Sequence, residues 1–337
     1  MLMLKKTIAA LSLLSILAAC QNDENPSQPE PKPRQDINLT RAEQEFMDKG
    51  TDFAFRFFDQ VCSTEKEKPN VFVSPLSASL CLSMITNGAT DNTLAEMQNV
   101  LGFPANTFSL DDLNNYNQKL TSALLDLDNT TQLGIANSIW IEEGFKVYDS
   151  FVDVNKKMYD AQVQELDFTS PTAKDVINQW CATQTNNCIK EVIQEIPADV
   201  RMYLINALYF KGIWKSQFDK SATGQDNFTN VDGSQQKVAM MNQTATFNYT
   251  QTDDFSIAEL PYGNEAFSMV ILLPSGDKTL DESLPSLNYE NWKQWSKNMV
   301  GKELQIKLPR FKVEYDKELE EDMICLLYTS PSPRDKR

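Results

Sequence analysis

Residues 202–214 read Met-Tyr-Leu-Ile-Asn-Ala-Leu-Tyr-Phe-Lys-Gly-Ile-Trp. Through Phe210 the run is almost continuously apolar, broken by Asn206. It lacks the in-out alternation of a half-solvated strand, so it predicts a strand covered on both faces. An amide inside such a strand needs a partner, because a buried polar group left unpaired costs about 1–3 kcal/mol.

Upstream of this strand, residues 134–141 form a second apolar run ending Ile139-Trp140-Ile141. Before that, helical periodicity dominates. Phe46, Phe53, Phe57 and Phe58 fit one amphipathic face. Ser74-Pro75 supplies an N-cap followed by a proline at the first helical position, and Leu76, Leu80 and Met84 follow at four-residue steps up to Gly88. Thr93 and Glu96 have the spacing of a capping box for a helix carrying Leu94, Met97 and Leu101, closed by Gly102. Leu113, Tyr116, Leu120 and Leu124 mark another helix.

Downstream, residues 236–273 hold short strands with turn signals at Asp232-Gly233 and Tyr262-Gly263, and Leu304–Tyr315 predicts a further strand. No linker-like stretch and no repeat interrupts residues 37–323. Helices first and strands later, with few clean βαβ units, predict a single α+β domain over those residues.

The 337 residues contain no histidine. That excludes a Ser–His–Asp triad, a Cys–His pair and an HExxH zinc site. A net charge of −16, with no cluster of Lys and Arg, argues against a nucleic-acid partner. The acidic excess is read as a solvated surface that aids solubility. The six cysteines, at 20, 62, 81, 181, 188 and 325, show no CxxC spacing, so no metal site and no cofactor are expected. Cys81, inside a helical pattern, reads as a small core residue. A Cys181–Cys188 disulfide would require the turn between them to bring the Cα atoms within about 7 Å.

The amino terminus reads as an address. Lys5 and Lys6 precede a short apolar run, Ile8 to Ala19, too short to span a bilayer, so residues 1–19 are expected to be a signal peptide. The run ends Leu17-Ala18-Ala19-Cys20, which resembles the lipobox of bacterial lipoproteins. That resemblance implies a lipid on Cys20 and a place in the bacterial cell envelope, on the periplasmic or extracellular side. Residues 20–36, rich in Asn, Gln, Pro and acidic groups, are expected to be a solvated tether.

The body resembles a serpin. The residues that carry the likeness are Asn70-Val71-Phe72-Val73-Ser74-Pro75-Leu76-Ser77, Gly88-Ala89 with Thr93 and Glu96, and Asn178, Trp180, Thr185 and Ile189. Leu204-Ile205-Asn206-Ala207-Leu208-Tyr209-Phe210-Lys211-Gly212-Ile213-Trp214 with Phe218, Met240-Met241, Leu260-Pro261-Tyr262, Leu272-Leu273-Pro274 and Leu308-Pro309-Arg310-Phe311 complete an ordered series over residues 37–323.

The resemblance implies three β-sheets with about nine helices and a protease inhibitor, not an enzyme. It implies a monomer whose partner is a serine or cysteine protease. The protease cleaves an exposed loop, becomes acylated on it and is carried along as the loop inserts into the largest sheet. It assigns Ser74, Ser77 and Asn206 to the shutter beneath the parting strands and Trp214 to the breach where the loop enters. The residue chemistry alone leaves Ser74 equally readable as a plain helix cap, Asn206 as locally satisfied and Trp214 as an aromatic core plug. A non-inhibitory serpin with a binding or chaperone-like role is the alternative. An enzyme or glycan-binding surface lipoprotein that only mimics these motifs lacks a catalytic constellation.

The likeness stops after Met323. Residues 324–337 match no family segment and are expected to be a foreign tail, with the reactive loop, its scissile bond and the last strands missing. On that expectation the chain as written is inactive, and it exposes apolar faces and unpaired strand edges that lower its stability.

Overall fold

A computed structural model describes residues 30–66, 68, 70–104, 107–230 and 232–329. The expected signal peptide, Cys20 and most of the 20–36 tether lie outside the described residues, as does 330–337. Helix α1 (Arg41–Thr64) starts at a complete capping box: the Glu43 amide donates to the Thr40 hydroxyl, and the Thr40 amide to the Glu43 carboxylate at 2.7 Å. Phe46, Phe53 and Phe57 are buried along its inner face, while Phe58 is half-buried. Helix α2 (Pro75–Thr86) begins at Ser74 with Pro75 in its first turn, as expected, and buries Ala78, Leu80, Cys81 and Met84.

Helix α3 (Asp91–Val100) starts earlier than the Thr93–Glu96 capping box predicts. The Leu94 amide already donates to the Thr90 carbonyl at 3.3 Å, so the first turn is complete around Thr93, and Thr90 is the N-cap. Gly102 closes the segment with φ +80°, where a side chain would be strained. Helix α4 (Leu110–Asp126) carries a Ser109–Asp112 capping box and buries Leu113 and Tyr116.

Strand β1 (Gln132–Glu142), helix α5 (Asp149–Tyr159), strand β2 (Gln162–Leu166), helix α6 (Ala173–Gln184) and strand β3 (Met202–Lys211) follow. The three strands form a sheet in the order β2-β1-β3, with β1 parallel to β2 and antiparallel to β3. β3 is covered on both faces, as its apolar run predicts. Leu204 packs with Leu80, Cys81 and Met84 of α2, while Tyr203, Ile205 and Ala207 pack with Ile177, Trp180 and Cys181 of α6. Cys181 and Cys188 are both free thiols.

The second half carries β4 (Gly224–Thr229), β5 (Gln235–Gln251), β6 (Phe255–Pro261), β7 (Ser268–Pro274), α7 (Leu280–Ser283), α8 (Tyr289–Lys297), β8 (Val300–Pro309) and α9 (Glu320–Thr329). Its sheet runs β4-β5-β6-β7, with β8 also on β5. The described strands thus make two sheets where the resemblance implies three. β5 is the reason: it runs unbroken and pairs with β4, β8 and β6 in turn.

The strand expected over Leu304–Tyr315 is displaced: it occupies 300–309. The Arg310 amide donates to the Ala239 carbonyl, after which the chain leaves the sheet and brings Tyr315 and Leu319 to Phe53, Phe57 and Val61 of α1. Lys317, 10 % exposed, pairs there with Glu65 of the α1 terminus at 3.0 Å and with the buried Asp322 of α9 at 3.1 Å. Met323, where the domain was expected to end, falls inside α9, and Leu326 is buried in the same core.

Phe57 is fully buried against α2 and α9 residues. Phe57→Ala is expected to destabilise the chain by about 3–5 kcal/mol, read as a lower urea midpoint with unchanged m-value.

Candidate functional site

Among the described residues β3 pairs with β1 alone; Asn206 lies within this strand and Trp214 just beyond its end. Asn206 lies mid-strand, directly opposite Asn137 of β1. Its Nδ2 donates to Asn137 Oδ1 at 2.8 Å, and Asn137 Nδ2 donates to the Tyr159 carbonyl at 2.7 Å. Asn206 Oδ1 is buried with no hydrogen-bond partner among the described residues.

Beyond Tyr159 the polar seam continues. Its hydroxyl donates to Asn114 Oδ1 at 2.7 Å and accepts from Asn117 Nδ2 at 3.2 Å, and Asn114 exchanges amide bonds with Asn87. Burial pushes the Tyr159 hydroxyl up to about 12, so it stays a neutral donor. Beneath Asn206, burial pushes the Cys81 thiol up to about 12 as well, which makes it an inert core group.

Ser74 and Ser77 form their own pair. The Ser77 amide donates to Ser74 Oγ at 3.3 Å and the Ser74 hydroxyl to Ser77 Oγ at 2.9 Å. The expected trio is therefore split: no hydrogen bond joins the two serines to Asn206. The residue that does hold Asn206 is Asn137, which the sequence reading passed over. The signal was present as a lone amide in the apolar stretch 134–141.

At the far end of β3, Trp214 forms an isolated antiparallel bridge with Tyr262. The two rings stack with centroids 4.3 Å apart, and Phe218 meets Trp214 edge-on. Gly212 permits this packing, because a Cβ there would stand 2.7 Å from the Tyr262 ring. The Gly263 amide donates to the Ile213 carbonyl at 2.8 Å, with φ +37° at the glycine.

Asp128, at the end of α4, anchors the same corner. Its carboxylate accepts from the Thr130 amide and hydroxyl, the Thr131 hydroxyl at 2.8 Å and the Asn264 amide at 3.4 Å. Burial works against its charge, yet those donors prevail and hold its carboxyl below the usual carboxylate range. A Cβ on Gly263 would collide with Asp128 and Thr130.

These geometries place a buried amide seam on one face of a strand and an aromatic clasp at its end. What the arrangement offers chemically is backbone pairing at the β3 edge.

The family comparison agrees with that architecture. The profile of the family described as "Serpin (serine protease inhibitor)" matches residues 48–328, and the chain belongs to the serpin family. It is similar to an uncharacterised serpin-like protein of Methanosarcina acetivorans, 33% identical over 279 residues, covering 81% of this chain and 65% of that protein. It is likewise similar to human serpin B3, 30% identical over 293 residues, covering 81% and 75%. Among solved structures, the thermophilic serpin tengpin in its latent state matches with TM-score 0.78 and 30% identity, over 88% of this chain and 78% of that one.

Asn137→Ala strands both Asn206 Nδ2 and the Tyr159 carbonyl. It is expected to cost about 1–3 kcal/mol, measured by urea unfolding. Asp128 gives a pH signature. Because its folded-state pKa is lowered, its contribution is complete above the unfolded value and lost as pH falls through the folded one. The stability margin of wild type over Asp128→Asn should be flat at neutral pH and shrink below about pH 4, as followed by urea midpoints.

Proposed function

We propose that the protein inhibits serine or cysteine endopeptidases by taking up a cleaved loop segment of its own chain as a new strand beside β3. The observation that carries this reading is the outer edge of β3: a strand covered by apolar packing on both faces, with a buried Asn206 oxygen left unpartnered. Strand addition there would gain main-chain hydrogen bonds and apolar burial together. In this reading Ser74, Ser77 and Asn206 form the shutter, with Asn137 as the direct holder of Asn206. Trp214 stands at the breach, stacked on Tyr262.

The same proposal includes a lipid on Cys20 after removal of residues 1–19. That would hold a monomeric body at the bacterial envelope, on its periplasmic or extracellular side, without a nucleic-acid partner. A second reading, a non-inhibitory serpin with a binding role, is favoured by the likeness to emu ovalbumin, with TM-score 0.77 and 25% identity.

The gene product translated from its genomic reading frame is expected to form a complex that survives SDS with a trypsin-, chymotrypsin-, elastase- or papain-like protease. Cleavage by all of them with no such complex would discard inhibition in favour of the second reading.

A further inference from the structure

The segment before α1 lies outside the residues that match the serpin family, yet it is seated on the body. Asn129, in the turn between α4 and β1, grips it with both ends of one amide. The Lys32 amide donates to Asn129 Oδ1 at 2.8 Å, and Asn129 Nδ2 donates to the Glu30 carbonyl at 3.0 Å. This two-point contact reproduces a rung of a β-ladder with a side chain in place of a strand. Lys32 Nζ adds an ion pair to Asp126 at 3.3 Å.

The arm is held at its other end too. Leu39 packs against the cluster of Phe46, Phe103 and Phe108, and Glu43 in the first turn of α1 pairs with Lys119 of α4 at 2.7 Å. The arm spans residues 30–39 between its two points of attachment. It carries Pro31 and Pro33 on either side of Lys32, which limits the backbone freedom that docking must remove.

The turn that receives the arm is the one that reaches the end of β3. Asp128, next to Asn129, accepts the Asn264 amide, while Asn264 Nδ2 donates to the Leu127 carbonyl at 2.8 Å. The same hairpin carries Tyr262, stacked on Trp214, and its backbone closes onto residues 213 and 215 through the Gly263 and Lys215 amides. Three links therefore connect the arm to Trp214: Asn129, the Asp128 carboxylate and the Tyr262–Asn264 turn.

We infer that residues 30–36 are a strap. By gripping Asn129 they hold the α4–β1 turn against the Tyr262–Asn264 hairpin and steady Trp214 at the end of β3. Releasing the strap loosens that corner and leaves the remaining core as it was. The inference concerns the arm and the corner alone. Its hydrogen-exchange readout uses no protease, so its failure is distinguishable from failure of the inhibitor reading.

Lys32→Pro tests it in the full chain. The substitution removes the amide that Asn129 accepts from and the ion pair with Asp126, on an exposed arm flanked by prolines. Two readouts are needed: trypsin cleavage after Arg34 in native buffer, and peptide-resolved hydrogen exchange. Cleavage is expected to speed up several-fold. Exchange of the Gly263 and Lys215 amides should rise about three- to tenfold, the scale of one lost hydrogen bond. Amides of α6 should keep their wild-type rates.

Asn129→Ala should reproduce that pattern. Asp128→Asn should loosen the hairpin amides while cleavage after Arg34 stays at the wild-type rate, which orders the links. Arm release with hairpin exchange unchanged would overturn the inference. So would an arm that trypsin cuts as fast in wild type as in Lys32→Pro.

Discussion

The cross-strand amide pair between Asn137 and Asn206 sets the conditions for everything near β3. Both lie in a sheet sandwiched between α2 and α6, where water cannot satisfy them, so each must bond to the protein. Asn137 uses its acceptor for Asn206 and its donor for the end of α5. That choice draws Tyr159 inward, and its hydroxyl in turn orders Asn114 and Asn117 of α4. A strand edge that is to accept or refuse a neighbour is thus tied by buried polar bonds to α4. Such networks are costly when half-satisfied; this seam runs on to backbone carbonyls, yet at its β3 end Asn206 Oδ1 stays without a partner among the described residues.

Much of this fold was legible in the sequence, and the failures are physical. The β3 run and the Ser74-Pro75 start read correctly because a both-faces-buried strand and an N-cap each leave a local signature. Thr93–Glu96 has the right spacing for a capping box, but the preceding turn had already begun the helix at Thr90. The strand expected to reach Tyr315 stops at Pro309, because an apolar segment reads alike whether its partner is a strand or a helix core. Tyr315 found α1. The shutter trio was assembled by resemblance. Only coordinates show that Ser74 and Ser77 satisfy each other and that Asn206 turns to Asn137, since cross-strand register carries no sequence mark.

Charge is used sparingly in the interior of this acidic chain. Among the described residues most ion pairs are solvent-exposed and add little to stability. Lys317 is different: with Glu65 and Asp322 it joins the end of α1, the segment after β8 and the start of α9 in one desolvated cluster, and the Thr64 hydroxyl adds a bond to Asp322 at 2.7 Å. Removing Lys317 would leave the buried Asp322 carboxylate without its cation, so these three elements are committed to one another.

β5 links its neighbours in a further way. It is long enough to ladder with β4 at its start, β8 along its middle and β6 at its end. The turn joining β4 to β5 is an exposed Asp232-Gly233 tip, the sort of place proteases nick first. A cut there severs the covalent thread between β4 and β5 and leaves every rung of their ladder in place. The two fragments would therefore travel as a single particle in solution while running as separate bands once denatured. Electrophoretic mobility would be a poor witness to whether this fold has been lost.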